Sequence, residues 1–135
     1  MRLLVCGSRH LPIDARDWLA GWMRKVAALC GEPAGRGVRH DTLIHGGAQG
    51  ADLLAAIVAQ SVLNWPTEEY AADWDAHGRR AGPMRNQEMI DEGKPDAVLA
   101  VLQEGYPCRG THDMIRRTMA AGIPLAVVTW RDPPA

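Results

Sequence analysis

A chain of 135 residues, 47% hydrophobic and 23% charged, is long enough for one domain with a real core and has a globular rather than a disordered composition. Its formal net charge of −1 supplies no overall attraction to nucleic acid or to an anionic membrane, and leaves only local basic patches open. Cys6, Cys30 and Cys108 are odd in number and far apart, which excludes a disulfide framework and a zinc knuckle and fits a reducing compartment.

In chain order, Arg2 to Cys6 is a short apolar run that reads as a buried strand ending at Gly7. No signal peptide precedes it and no apolar run reaches membrane-spanning length, so the expected location is cytoplasmic, with no membrane partner. Asp14 to Gly31 reads as a helix, because Trp18, Leu19, Trp22, Met23, Val26 and Cys30 recur at three- and four-residue intervals. GEPAGRGVRHD (31–41) reads as a surface loop. Thr42 to His45 is the second strand, and Ala51 to Leu63 a helix so apolar all round that it is expected in the interior. Asn64 to Tyr70 is either a short edge strand or a loop, Ala71 to Gly82 is irregular, and Pro83 to Glu92 is a third helix. Asp96 to Leu102 is apolar without alternation, as in a parallel sheet covered on both faces. After the turn-rich QEGYPCRG come a helix from Thr111 to Ala121, a closing strand from Pro124 to Trp130 and a fraying tail. This order predicts one domain over residues 1–135, an α/β fold with a single Rossmann-like, doubly wound parallel sheet of about five strands and helices on both faces.

In such sheets ligands bind beyond the carboxyl ends of the strands. The segments there are Gly7-Ser8-Arg9, Gly46-Gly47-Ala48-Gln49-Gly50 and Cys108-Arg109-Gly110-Thr111. Each joins glycine, which allows close backbone approach, to a hydroxyl, an amide or an arginine, and two run straight into helices whose free N–H groups attract anions. Taken singly, Gly-Gly also reads as a plain turn, Ser8 and Thr111 as helix caps, Asp52 as a charge matched to a helix start, and Arg9 and Arg109 as solvated charges. Three such loops at one sheet edge point instead to a phosphate-bearing ligand. In PMRNQEM, Arg85 and Met89 share a helix face with Glu88 close by, which read alone is a surface ion pair beside a core methionine.

GSR after the first strand, HGGAQGAD after the second, ADWDAHGRRAGPMRNQEM, and DAVLAVL followed by CRGTHDMIRRTMAAGIP occur in the combination and order of the YspA/YpsA-type branch of the SLOG superfamily. The chain resembles that branch from Arg2 to Trp130. The resemblance implies a Rossmann-like domain, related to the LOG phosphoribohydrolases and the DprA DNA-processing proteins, that binds nucleotides, occurs in phage or bacteria and forms a homodimer. LOG enzymes carry an arginine four residues before a methionine, which Arg85 and Met89 match. Their PGGxGTxxE loop holds phosphate through Gly-Thr, which Gly110-Thr111 match. The position of its glutamate is Met114, Asp113 stands one residue early, and Tyr-Pro-Cys-Arg replaces the leading Pro-Gly-Gly. One residue along a helix turns a side chain by about 100°, so binding is expected ahead of cleavage, and Arg85 and Asp113 are the candidate catalytic pair should cleavage occur.

The expected ligand is nucleotide-type: AMP, ADP-ribose or an NAD-like molecule. Its candidate contacts are Gly7, Ser8 and Arg9, then His45, Gly46, Gly47, Gln49, Gly50 and Asp52. Asp73, Trp74, Arg85 and Asn86 follow from the middle of the chain, and Arg109, Gly110 and Thr111 from the last loop. The five histidines have no metal-ligand spacing, and no metal is expected. Cys6 reads as a small core residue, and Cys108, ahead of a helix, as a thiol of lowered pKa. Trp65, Tyr70 and Trp74 read as core residues first and base-stacking residues second. Two alternatives follow from the resemblance: a LOG-like hydrolase cleaving the N-glycosidic bond of a nucleoside monophosphate, and a DprA-like binder of single-stranded DNA. The near-neutral charge and missing basic stripe count against the second, because counterion release supplies most of such affinity.

Overall fold

The computed structural model describes residues 1–31 and 41–132. The loop expected over 31–41, with His40, falls almost wholly on residues outside that set, as does the end of the tail. Five strands form one sheet: β1 (Arg2–Gly7), β2 (Thr42–His45), β3 (Thr67–Glu69), β4 (Ala97–Gln103) and β5 (Leu125–Trp130), in the spatial order β3-β2-β1-β4-β5. Every pairing is parallel, with Leu3 opposite both Leu43 and Ala97, and Val98 opposite Leu125. The apolar runs without alternation have the predicted cause, since Leu3, Leu4 and Val5 of β1 and Val98 to Val101 of β4 are wholly buried.

Alternate residues of these strands feed two separate cores. Leu3, Val5, Leu43, Leu99 and Val101 pack against α1 (Arg16–Cys30) and α2 (Ala51–Val58). Leu4, Cys6, Ile44, Val98 and Ala100 pack on the opposite face against Met89 and Ile90 of α4 (Ala81–Asp91) and Met114 of α5 (Arg109–Ala121). The first two helices thus cover one face and the last two the other. The chain reverses direction across the sheet between β1 and β4, which defines a doubly wound Rossmann-like fold with its switch point there.

Several boundaries differ from the sequence reading. A 3₁₀ turn, Ile13–Ala15, precedes α1. α2 passes into a π turn, Ala59–Leu63, and stops at Asn64 in the left-handed region with φ 57°. The helix expected in the interior is buried on one side only: Leu53, Ile57 and Val62 are exposed. It forms an outer layer of the sandwich, with its second apolar side partly open to solvent. The ambiguous segment holds a three-residue edge strand, β3. The stretch expected to be irregular contains the one-turn helix α3 (Trp74–His77). α4 starts at Ala81, so Pro83 sits in its first turn, where no backbone N–H is needed. Among the described residues no helix is long and apolar enough to cross a membrane.

Candidate functional site

At the switch point, Gly7 of β1 lies beside Val101 of β4. A Cβ on Gly7 would stand 2.6 Å from the Val101 carbonyl oxygen and 2.7 Å from the Ala51 Cβ, so glycine there lets α2 seat against the strand. Ser8, buried, ties three elements together. Its N–H donates to Val101 O at 2.9 Å and its carbonyl accepts from Ala51 N–H at 2.9 Å. Its hydroxyl donates to Gln103 Oε1 at 2.7 Å and accepts from His10 N–H at 3.1 Å. With these partners Ser8 braces the cleft floor and has little hydrogen-bonding capacity left for a ligand. Arg9 leaves the brace for solvent and lies over the Trp74 ring, 5.8 Å from its centroid.

The glycine loop after β2 is bare for reasons internal to the protein. The Arg85 guanidinium lies over Gly46 and its Nη1 donates to the Gly46 carbonyl at 2.5 Å; any Cβ at Gly46 would overlap it. The Glu69 carboxylate occupies the equivalent space at Gly47, whose φ is +72°. A Cβ on Gly50 would strike the backbone of Ser8 and Arg9. The loop amides are also engaged. Gly46 N–H donates to Asp52 Oδ2 at 2.9 Å, Ala48 N–H to the same oxygen at 3.4 Å, and Gly47 N–H to His45 Nδ1 at 3.0 Å. His45 is buried, and burial lowers its pKa, which keeps a neutral ring able to accept that bond. Asp52 is 4% exposed. Burial pushes its carboxyl up to about 6, with the Gly46 N–H bond and the charge of Arg85 pulling the other way. The phosphate contact expected at Gly46 and Gly47 therefore finds no unspent backbone donor on those two residues.

The opposite wall comes from α4 and α5. Arg85 Nε donates to Asn86 Oδ1 at 3.2 Å, and Asn86 Nδ2 donates to the Gly110 carbonyl at 3.2 Å and to Asp113 Oδ2 at 3.0 Å. Arg117 Nε also donates to Asp113 Oδ2, at 2.8 Å, and its Nη1 to Gln87 Oε1 at 2.9 Å. Burial alone would raise the Asp113 pKa, but the bonds from Arg117 and Asn86 more than offset it and hold the group below its ordinary value. Cys108 precedes α5 in a left-handed conformation, φ 49°. Among the described residues no acceptor takes the N–H groups of Arg109, Gly110 or Thr111. They are the orphan donors of a helix start, carrying the positive end of its dipole.

These walls enclose a cavity of about 550 Å³, within the ~300–1,000 Å³ range of small-ligand sites. Of the expected residues, Gly7, Ser8, Arg9, Asp52 and Trp74 line it from one side, and Arg85, Asn86, Arg109, Gly110, Thr111 and Asp113 from the other. Arg116 joins Arg9, Arg85 and Arg109, so four guanidiniums face two carboxylates, both of which already accept hydrogen bonds. Gly46, Gly47 and Gln49 line a smaller adjoining cavity. His45, Gly50 and Asp73 line neither: the first two shape the glycine loop, and Asp73 caps α3 by accepting from Ala76 N–H at 3.0 Å. Cys6 lies at the cavity floor with its thiol pKa raised by burial, which disfavours the nucleophilic thiolate. Among the described residues no three His, Cys, Asp or Glu side chains converge on a metal position.

The sequence reading missed Tyr106 and His10, whose rings stack 4.3 Å apart at the cavity rim. Both belong to loops leaving the central strands, a signal available in sequence. It also missed Glu69, which shows only once β3 is recognised as a strand ending beside β2.

Fold and site together define an α/β domain with a parallel sheet and a cationic cavity at its switch point. No family model matches the chain, and no solved structure matches it. Among curated proteins it is similar to the Gene 61 protein of Mycobacterium phage D29, 34% identical over 137 residues that cover 98% of each chain. The chain belongs to the family of that phage protein.

Proposed function

We propose that this protein binds a nucleotide-type small molecule in the switch-point cavity, with a phosphate at the start of α5. The observation that carries the reading is the set of unspent N–H groups at Arg109, Gly110 and Thr111, opening into a cavity with an excess of guanidinium charge. A helix start of this kind is a ready anion site, and Arg109 and Arg85 add charge that suits phosphate. The exposed ring of Trp74 and the His10–Tyr106 stack offer flat apolar surfaces for a base. The resemblance to YspA-type SLOG domains supports the same ligand class. The proposed setting is the cytoplasm of a phage-infected bacterium, and the proposed assembly a homodimer.

Thermal unfolding with added AMP, ADP or ADP-ribose tests the reading. A ligand at a hundred times its Kd stabilises the fold by about 2.7 kcal/mol. Gly110→Asp separates binding from folding. Nothing lies within 4 Å of a Cβ at this position, and an acidic residue in the first turn favours a helix, so the variant is expected to unfold at or slightly above the wild-type temperature. Its carboxylate would repel the phosphate and abolish the ligand-induced shift. An equal shift in both proteins would remove the phosphate from α5.

A second reading, cleavage of the N-glycosidic bond, rests on Asn86 bridging Arg85 and Asp113 at the cavity wall. A carboxylate held ionised suits stabilisation of an oxocarbenium-like centre rather than proton donation. Release of free base from AMP, lost in Asp113→Asn, is the expected result of that chemistry. Absence of any release leaves the protein a binder.

A further inference from the structure

The smaller cavity, about 270 Å³, shares Arg9, Ala48, Trp74 and Arg85 with the larger one. The charged members of this common wall are two guanidiniums. Across the smaller space stands Glu69, the last residue of β3, exposed and seated against Gly47. Among the described residues no hydrogen bond or ion pair engages its carboxylate, although its charge acts on His45. A carboxylate only accepts, and two adjacent hydroxyls satisfy both of its oxygens. Guanidiniums favour phosphate. A molecule reaching from α5 into the smaller cavity thus passes an anion-binding wall and ends at a hydroxyl-binding group.

We infer that the smaller cavity is a diol subsite built on Glu69, and that the ligand is a nucleoside diphosphate carrying a distal sugar rather than a nucleoside monophosphate. The inference rests on the nucleotide reading of the larger cavity. Its elements are the shared Arg9–Arg85 wall, the conformational opening at Gly47 (φ +72°) that admits the Glu69 carboxylate, and the adjacency of the two spaces, which have four lining residues in common. One phosphate meets the start of α5, the next meets the shared wall, and the distal sugar donates its vicinal hydroxyls to Glu69.

Calorimetric titration of the purified protein with AMP, ADP and ADP-ribose tests this, in the wild type and in Glu69→Ala and Glu69→Gln. Affinity is expected to rise along the series, with the step from ADP to ADP-ribose roughly tenfold or more, the worth of hydrogen bonds to a charged group. Glu69→Ala should erase that last step and leave AMP and ADP unchanged, and Glu69→Gln, which keeps one acceptor oxygen, should retain part of it. Because Glu69 is exposed, an unchanged unfolding temperature in both variants is expected alongside. ADP-ribose binding no tighter than ADP, or equal loss for all three ligands in Glu69→Ala, would overturn the diol subsite. In either case persisting AMP binding would leave the larger cavity's reading intact, whereas failure of all three ligands to bind would remove both.

Discussion

Gly50→Ala is expected to lower the thermal midpoint by roughly 10–15 °C, the largest effect of any single methyl group at the site. Gly50 precedes α2 with φ 80° and ψ −121°, a conformation that costs other residues about 1–3 kcal/mol. The added Cβ would also stand 2.5 and 2.7 Å from the Arg9 carbonyl carbon and oxygen, and closer still to the Ser8 oxygen. These obstacles are backbone, so no rotamer change relieves them, and overpacking of this kind costs about 1–3 kcal/mol more. Their sum, about 2–6 kcal/mol, becomes a drop of that size at a few degrees per kcal/mol in a domain of this length. Gly110→Ala is the matching control. With no atom within 4 Å of its Cβ and no positive φ, it is expected to stabilise by about 0.4–1 kcal/mol through the unfolded chain. Circular dichroism melts of the two variants check both, and a Gly50→Ala shift below about 3 °C would mean the loop relaxes freely, against the interlock of Ser8, Gly50 and Ala51.

That interlock explains which parts of the protein could be read from sequence. The apolar runs of β1 and β4 and the helical spacing of α1 are local patterns imposed by burial, and with the alternation of strands and helices they identify a doubly wound sheet. The three loops at the strand ends follow from the same topology, and eleven of the expected residues do line one cavity. The role of each is a different matter. Bare glycine has the same appearance whether a phosphate or a neighbouring side chain fills the space, and at Gly46 and Gly47 the occupants are Arg85 and Glu69, distant in sequence. Likewise the apolar character of α2 says that it packs, without saying that Leu53 and Ile57 stay outside. β3 has only three residues, too few for a periodic signal, and with it Glu69 went unread. Long-range packing, absent from any local pattern, sets all three outcomes.

Asp52→Asn and Asp52→Ala should part company, and the wild type should differ from the first in a pH-dependent way. Burial raises the Asp52 carboxyl from an ordinary 3.8 to about 6, so the fold favours its protonated form. The associated stability is complete below pH 3.8 and is lost as pH rises through about 6. At 1.36 kcal/mol per unit, the loss is about 3 kcal/mol. Asparagine stays neutral and its carbonyl oxygen still accepts from Gly46 N–H. Between pH 7.5 and 4, wild type is therefore expected to gain about 2–3 kcal/mol on Asp52→Asn in denaturant unfolding. A difference that stays flat with pH would show that Asp52 titrates alike in the folded and unfolded chains, with no shift from burial. Asp52→Ala removes the acceptor at every pH and strands the buried Gly46 amide, at about 1–3 kcal/mol, while the half-buried Ala48 amide loses a longer bond. Those amides hold the loop on which Arg85 rests, so Asp52→Ala is expected to weaken nucleotide binding as well. Asp52→Asn, which keeps the loop and loses only a negative charge facing the guanidiniums, should bind an anionic ligand at least as well as wild type.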